Sequence, residues 1–338
     1  MIFVLVFATG FLIALMLTPL AARLALWTGA VDQPRNRHQH AKPTPKLGGL
    51  PLFVALCAAI GVSLLYPRTD AYEMLRLAGL FLGSVLLFAV GAYDDYRELS
   101  AAPQLVAQIL AAGIAVTSGV LIRELSNPFD GQLIPFETWF AVLFTLFWLV
   151  GMMNTINWLD GIDGLAAGVV VLAGFMLFAH TFHLGQNSLA LLALALIGSV
   201  LGFLLFNFHP AQMFMGSAGA NVLGFVLGAL SIIGGAKVGT ALLVLGIPIL
   251  DVAWQIINRL RAGRSPFAAD RGHLHHRLLD LGMSQRTIVF LYYALTVFFG
   301  ALALFLPSGI YKLIALVVIG SGAILVLVKL GSDSARRT

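Results

Sequence analysis

The chain has 338 residues, 59% of them hydrophobic and 10% charged, with a formal net charge of +5. A mean hydropathy of +0.94 leaves too few polar side chains to cover a soluble domain of this size, which excludes that class and points to the bilayer. Lys and Arg flanking membrane spans account for the basic pI near 9.6, so nucleic acid is not an expected partner.

A span needs about 20 mostly apolar residues to cross roughly 30 Å of hydrocarbon. On that measure the sequence predicts eleven, at 2–27, 48–66, 77–93, 104–122, 136–153, 164–182, 188–207, 219–235, 238–257, 287–306 and 312–330. The glycine-rich run 219–235 is the weakest of them. Each is expected to be a helix, because only a helix satisfies its own backbone hydrogen bonds in lipid. The first span has no Lys or Arg before Arg23, so it lacks the positive start of a cleaved signal. Cys57, the single cysteine, falls inside the second span and reads as a packing residue. It permits neither a disulfide nor a cysteine-based metal site within one chain. No internal repeat or low-complexity segment appears. The expected fold is all-α, a polytopic integral membrane protein forming one domain over 1–338.

Eleven spans put alternate loops on opposite sides. One side holds loops 28–47, 94–103, 154–163, 208–218, 258–286 and the C-terminal tail, and carries fourteen of the twenty Lys and Arg. The other carries five, and Arg23 lies within the first span. The excess predicts that the first side is cytoplasmic and the N-terminus outside.

The chemistry-bearing residues gather on that basic side. Asp94 and Asp95 end the third span. Neighbouring side chains on a helix diverge, so one can meet a metal while the other orients or deprotonates a substrate. A solvated span end is the competing reading. In NTINWLDGIDGLAAG, residues 154–168, Asn154, Asn157, Asp160 and Asp163 recur every three residues. Each step drifts by about 60° around a helix, so all four cannot share one stripe, and Gly161 and Gly164 permit a break there. A polar helix end satisfying its own carbonyls is the plainer alternative. Loop 258–286 supplies Arg259, Arg261, Arg264, Arg271, Arg277 and Arg286 with His273, His275 and His276. Arginine forks match phosphate oxygens, although zinc or nickel binding by HLHH and a purely orienting role for the loop remain alternatives. Oxygen ligands without cysteine suggest Mg2+ or Mn2+. Acids for a metal, bases for phosphate and a membrane location together point to phosphoryl transfer to a lipid. Asp251, inside the ninth span beyond Pro248, is read as a supporting residue.

Taken together these motifs resemble the polyprenyl-phosphate N-acetylhexosamine-1-phosphate transferases over nearly the whole chain. The resemblance lies in VDQPRNRHQHAKPTPKLGG at 31–49, DDYRELS at 94–100, NTINWLDGIDGL at 154–165, HPAQMFMGSAGAN after Asn207, and SPFAADRGHLHHRLLDLGMSQR at 265–286. The last is similar to the N-acetylglucosamine branch rather than the muramoyl-pentapeptide branch. The resemblance implies transfer of a sugar-1-phosphate, GlcNAc-1-phosphate foremost, from a UDP-N-acetylhexosamine to undecaprenyl or another polyprenyl phosphate, releasing UMP at the cytoplasmic face of the cell membrane. It implies Asp94, Asp95 and Asp160 as catalytic. Arg37, His40, Lys46, Asn154, Asp163, Asn207, Arg271, His273, His275 and His276 would bind substrate, with Asp163 facing the uracil. Asn157, Asp95 and Asp160 would hold Mg2+ or Mn2+. Ser217 stands where the family pattern has a metal-binding aspartate, and Gln104 where it often has a base. Two other readings stay open: a binding-only relative impaired at Ser217, and a transporter. A second copy of the chain, a homodimer, is retained as a partner with no residue assigned to it.

Overall fold

The computed structural model describes residues 1–32, 43–68, 70–233, 238–265, 272–306 and 309–335. Arg37, His40 and Arg271 lie outside those residues. Thirteen helices are present among them: α1 (Ile2–Thr28), α2 (Gly49–Ser63), α3 (Glu73–Arg97), α4 (Ala101–Thr117), α5 (Thr138–Leu159), α6 (Leu165–His183), α7 (Asn187–Asn207), α8 (Gly216–Ile233), α9 (Val238–Val244), α10 (Gly246–Arg261), α11 (Leu274–Asp280), α12 (Gln285–Phe305) and α13 (Gly309–Ala335). Two short antiparallel pairs join them, β1 (Val31–Asp32) with β2 (Thr44–Pro45) and β3 (Glu124–Ser126) with β4 (Leu133–Pro135).

Seven of these helices, α1, α3, α5, α6, α7, α8 and α12, are long and apolar enough to cross a membrane, and α2, α4 and the first part of α13 are shorter apolar helices. The chain is thus a polytopic helical membrane protein. The predicted span 238–257 is instead two helices meeting at Leu245. Pro248 lies in the first turn of α10. There its missing N–H leaves no bond broken, whereas inside one continuous helix it would forfeit a rung. The other expected spans match helices to within several residues.

The least certain span, α8, is the most buried of the seven. Its small residues let neighbours approach to backbone contact, the interface preferred where lipid removes the hydrophobic drive for helix association. A Cβ on Gly224 would lie 2.6 Å from Met153 Cα on α5, and one on Gly91 of α3 would run into Ala218. Helices α2, α3 and α5 therefore pack directly on α8. The C-terminal ends of α3 and α5 meet its N-terminal end, and the site is built there.

Candidate active site

The two aspartates that end α3 hold different partners, as their adjacency requires. Asp95 Oδ1 accepts from the backbone N–H of Ser217 at 2.7 Å, and Oδ2 from that of Ala218 at 3.1 Å. A carboxylate on the free N–H groups of a helix start is favoured by both the hydrogen bonds and the helix dipole. Gly216 makes this possible: its φ is 73°, and a Cβ there would strike the Asp95 carboxylate. Lys46, just before α2, reaches Asp95 Oδ1 at 3.5 Å. Asp94 turns toward α4. Its Oδ1 accepts from Leu99 N at 2.7 Å and from Gln104 Nε2 at 3.0 Å.

Asp94, Gln104, Gln108, Ser217 and Asn221 line one small cavity between α3, α4 and α8, floored by Leu87 and Val90. The two positions at which the sequence departs from the expected pattern, Gln104 and Ser217, therefore face the same space.

Helix α5 carries the NTINWL stretch as helix to Leu159, with Asp160 as its C-cap. Asn157 is partly buried, and its side chain forms no hydrogen bond among the described residues. Asp160 has its carboxyl pushed up to about 8 by burial, with Asp95 and Asp163 adding repulsion and Lys46 opposing it. The break comes where the glycines allow it: Gly164, at φ 78°, is the N-cap of α6. Asp163 Oδ2 accepts from His209 Nδ1 at 2.8 Å and from Ala211 N at 3.0 Å. Asn207 lies beneath the turn, its Oδ1 accepting from Gly164 N at 3.2 Å and its Nδ2 donating to the Met213 carbonyl at 3.0 Å. His209 went unread in the sequence, where nothing marks a histidine beside a proline as the partner of an acid 46 residues earlier.

The histidine segment closes over this turn. Asp251 of α10 caps α11, accepting from Leu274 N at 2.9 Å through Oδ1, while Oδ2 pairs with His273 Nδ1 at 3.0 Å. Arg259 sits 3.5 Å from His273 Nε2 and lies over the Trp158 ring of α5 at 5.1 Å. His275 is fully buried against Gly161, where any Cβ would collide with its Nε2. Burial, then His276 and His273, hold its imidazole well below the usual histidine range, so it stays neutral. Neither of its ring nitrogens has a hydrogen-bond partner among the described residues. The structure thus brings together Lys46, Asp94, Asp95, Ser217, Asn154, Asn157, Asp160, Asp163, Asn207, His273, His275 and His276.

No three His, Cys, Asp or Glu side chains have metal-binding spacing among the described residues, which excludes an all-protein cage from this set. The donors fit an ion of the Mg2+ type, which takes one or two carboxylates and completes its shell with phosphates and water. The Asp160 carboxyl is raised first by burial and then by Asp95 and Asp163, and its charged form is one that a cation would stabilise.

The glycosyl transferase family 4 model matches residues 77–235. The chain is 36% identical over 312 residues to the probable undecaprenyl-phosphate N-acetylglucosaminyl 1-phosphate transferase of Bacillus subtilis, covering 90% of this chain and 85% of that one. It is 34% identical to the decaprenyl-phosphate N-acetylglucosaminephosphotransferase of Mycolicibacterium smegmatis, over 93% of this chain and 86% of that one. A phospho-N-acetylmuramoyl-pentapeptide-transferase of Desulfotalea psychrophila is 33% identical, over 87% and 89%. With acids, amides and histidines meeting at one end of a helical membrane bundle, and these relatives matched over most of their length, the chain belongs to glycosyl transferase family 4.

Proposed function

We propose that this protein transfers N-acetylglucosamine-1-phosphate from UDP-N-acetylglucosamine to undecaprenyl or another polyprenyl phosphate, giving a polyprenyl-diphospho-sugar and UMP. The observation that carries this reading is the meeting of the Asp94–Asp95 pair, the Asn154–Asp163 stretch and the histidine segment around the start of α8. The relatives in Bacillus subtilis and Mycolicibacterium smegmatis, named for this transfer to undecaprenyl and decaprenyl phosphate, support the N-acetylglucosamine donor.

In the reaction an oxygen of the lipid phosphate bonds to the β-phosphorus of the UDP-sugar. The bond from that phosphorus to the bridging oxygen breaks, and UMP leaves with the electron pair. The attacking phosphate monoester is already anionic near neutral pH, so Asp94 and Asp95 serve mainly to position rather than to deprotonate it. Lys46 offsets the charge that gathers beside Asp95. Asn157 and Asp160 would hold Mg2+ or Mn2+, which when bound would neutralise charge on the diphosphate. Asp163 faces the nucleotide base, and Asn207 fixes the turn that carries Asp163. His273, His275 and His276 line the donor side with Arg271, and the neutral His275 keeps one N–H to donate and one ring nitrogen to accept. Arg37 and His40 add to the lipid-phosphate side. The excess of Lys and Arg on these loops supports a site at the cytoplasmic face of the cell membrane.

UMP release by purified protein, with undecaprenyl phosphate, UDP-N-acetylglucosamine and Mg2+, tests the proposal. Release that stops when any one component is omitted is expected. Intact protein that binds the nucleotide sugar yet releases no UMP would favour the binding-only reading.

A further inference from the structure

Three side-chain amides join the helices that carry the acids, and the chemistry above does not account for them. Asn154 Nδ2 donates to Gln108 Oε1 at 2.8 Å, and Gln108 Nε2 donates to Asn221 Oδ1 at 2.8 Å. Asn221 Nδ2 then donates to the Ser217 carbonyl at 2.9 Å. The chain crosses from α5 through α4 to the first turns of α8, the helix held by Asp95.

An amide oxygen and its NH2 are nearly alike in shape, so their orientation is settled by their partners. Here both ends settle it. The Ser217 carbonyl can only accept, so Asn221 must give it the NH2 and turn its oxygen to Gln108. Gln108 must then give its NH2 to Asn221 and its oxygen to Asn154. At the far end, the Val150 carbonyl takes the second hydrogen of Asn154 Nδ2 at 2.9 Å. Reversing any one amide sets oxygen against oxygen at the next link. Gln108 is only 2% exposed and Asn221 5%, so bulk solvent does not reach them to repair the mismatch.

We propose that Gln108 and Asn221 are positioning residues that fix the Asn154 amide with its oxygen outward. Asn154 then accepts from an N–H or O–H of the substrate, or binds a cation, and offers nothing to a phosphate oxygen. Both hydrogens of its Nδ2 are used inside the protein. Its Oδ1 accepts no bond from a described residue, and the side chain is only partly buried. Asn157, three residues on, neighbours it on the face of α5 that leads to Asp160. A nucleotide sugar brings hydroxyl and acetamido donors, and its metal brings charge. The headgroup of a polyprenyl phosphate presents mainly acceptor oxygens. The identity of the ligand rests on the transferase reading, whereas the orientation of the amide does not.

The test compares the unaltered protein with Gln108→Leu, Asn154→Asp and the double variant. UMP release is followed alongside calorimetric binding of UDP-N-acetylglucosamine and of Mg2+. A carboxylate at 154 is an acceptor whichever way it turns, so it needs no Gln108 to orient it and sets an oxygen against Gln108 Oε1, a mismatch that Gln108→Leu removes. In the native background, Gln108→Leu is expected to raise KM for UDP-N-acetylglucosamine, or the Mg2+ concentration giving half-maximal rate, by about tenfold, one polar contact's worth. KM for undecaprenyl phosphate should stay unchanged. In the Asn154→Asp background the same change should not raise these constants. The sugar and metal titrations show which of the two Asn154 meets. Equal effects in both backgrounds, or a rise confined to the lipid phosphate, would overturn the proposal. If Gln108→Leu does not fold, Asn221→Leu breaks the chain one link further away and must give the same pattern. Native protein that binds the nucleotide sugar without releasing UMP defeats the transferase reading, and the comparison is then read on dissociation constants. Native protein that binds neither ligand overturns both.

Discussion

Ser217 has both backbone polar groups engaged, its N–H by Asp95 and its carbonyl by Asn221, and the residue lines the cavity with Asp94 and Gln104. An aspartate there adds a third carboxylate beside Asp94 and Asp95. Ser217→Asp should lower stability by about 1–3 kcal/mol when divalent cations are chelated. Mg2+ should then raise its unfolding midpoint more than that of the native protein. Thermal melts with chelator and with Mg2+ check this, and equal shifts would argue that position 217 does not meet the ion. His275 gives a pH test, because its folded-state pKa lies below the ordinary 6.5 through burial and its histidine neighbours. Above that value both states are neutral and nothing is gained or lost. Below it the unfolded chain takes up a proton that the folded one refuses, so the His275 contribution to stability should fall by up to about 1.4 kcal/mol per pH unit, against an opposite contribution from the raised Asp160 carboxyl. In melts between pH 7 and 5, the native protein should therefore lose stability relative to His275→Leu as the pH falls. The aspartates, Asn157 and the histidines of the 273–276 segment were legible because polar letters stand out where a membrane helix ends. Gln108 and Asn221 were not. Each sits in an apolar run, and the bond joining them spans 113 residues of sequence, a distance no local pattern reports.

The helices themselves followed from apolar length, but their ends followed from partners the sequence does not display. Asn154 and Asn157 read as loop and are helical, since Asn154 finds an acceptor one turn back at Val150 and another on α4. The opposite end of the bundle shows a similar device. Arg68, between α2 and α3, donates to the Ser63 carbonyl at 2.9 Å, to its hydroxyl at 2.8 Å and to Glu73, and reaches the Ser188 carbonyl on α7 at 3.4 Å. Glu73 is only 3% exposed, so Arg68→Ala would strand a buried carboxylate and cost about 3–5 kcal/mol. The expected outcome is a lower unfolding midpoint with KM values unchanged in the fraction that remains folded. A selective rise in one KM would show that this clasp communicates with the site.

For the molecule as a whole, charge counting makes a claim about sidedness that labelling can check. In a Cys57→Ser background, a cysteine at the exposed Asp130, between β3 and β4, should react with an impermeant maleimide on intact cells. One at the exposed Arg264 should react only after the membrane is opened. The reverse pattern would invert the orientation and place the site outside. A membrane bundle with its acids at one end was legible from hydropathy and spacing, whereas the packing order was not, because small residues such as those of α8 look like weak apolarity rather than a hub. Asp95 gives that hub a further meaning. The same carboxylate that faces the chemistry grips the first turn of the helix on which α2, α3 and α5 rest. Any ligand that draws on Asp95 must loosen or tighten its hold on α8, and a rigid helix of 18 residues carries such a change about 27 Å to its far end. Occupancy at one membrane face should therefore be readable as altered amide-exchange protection near Ile233, at the other.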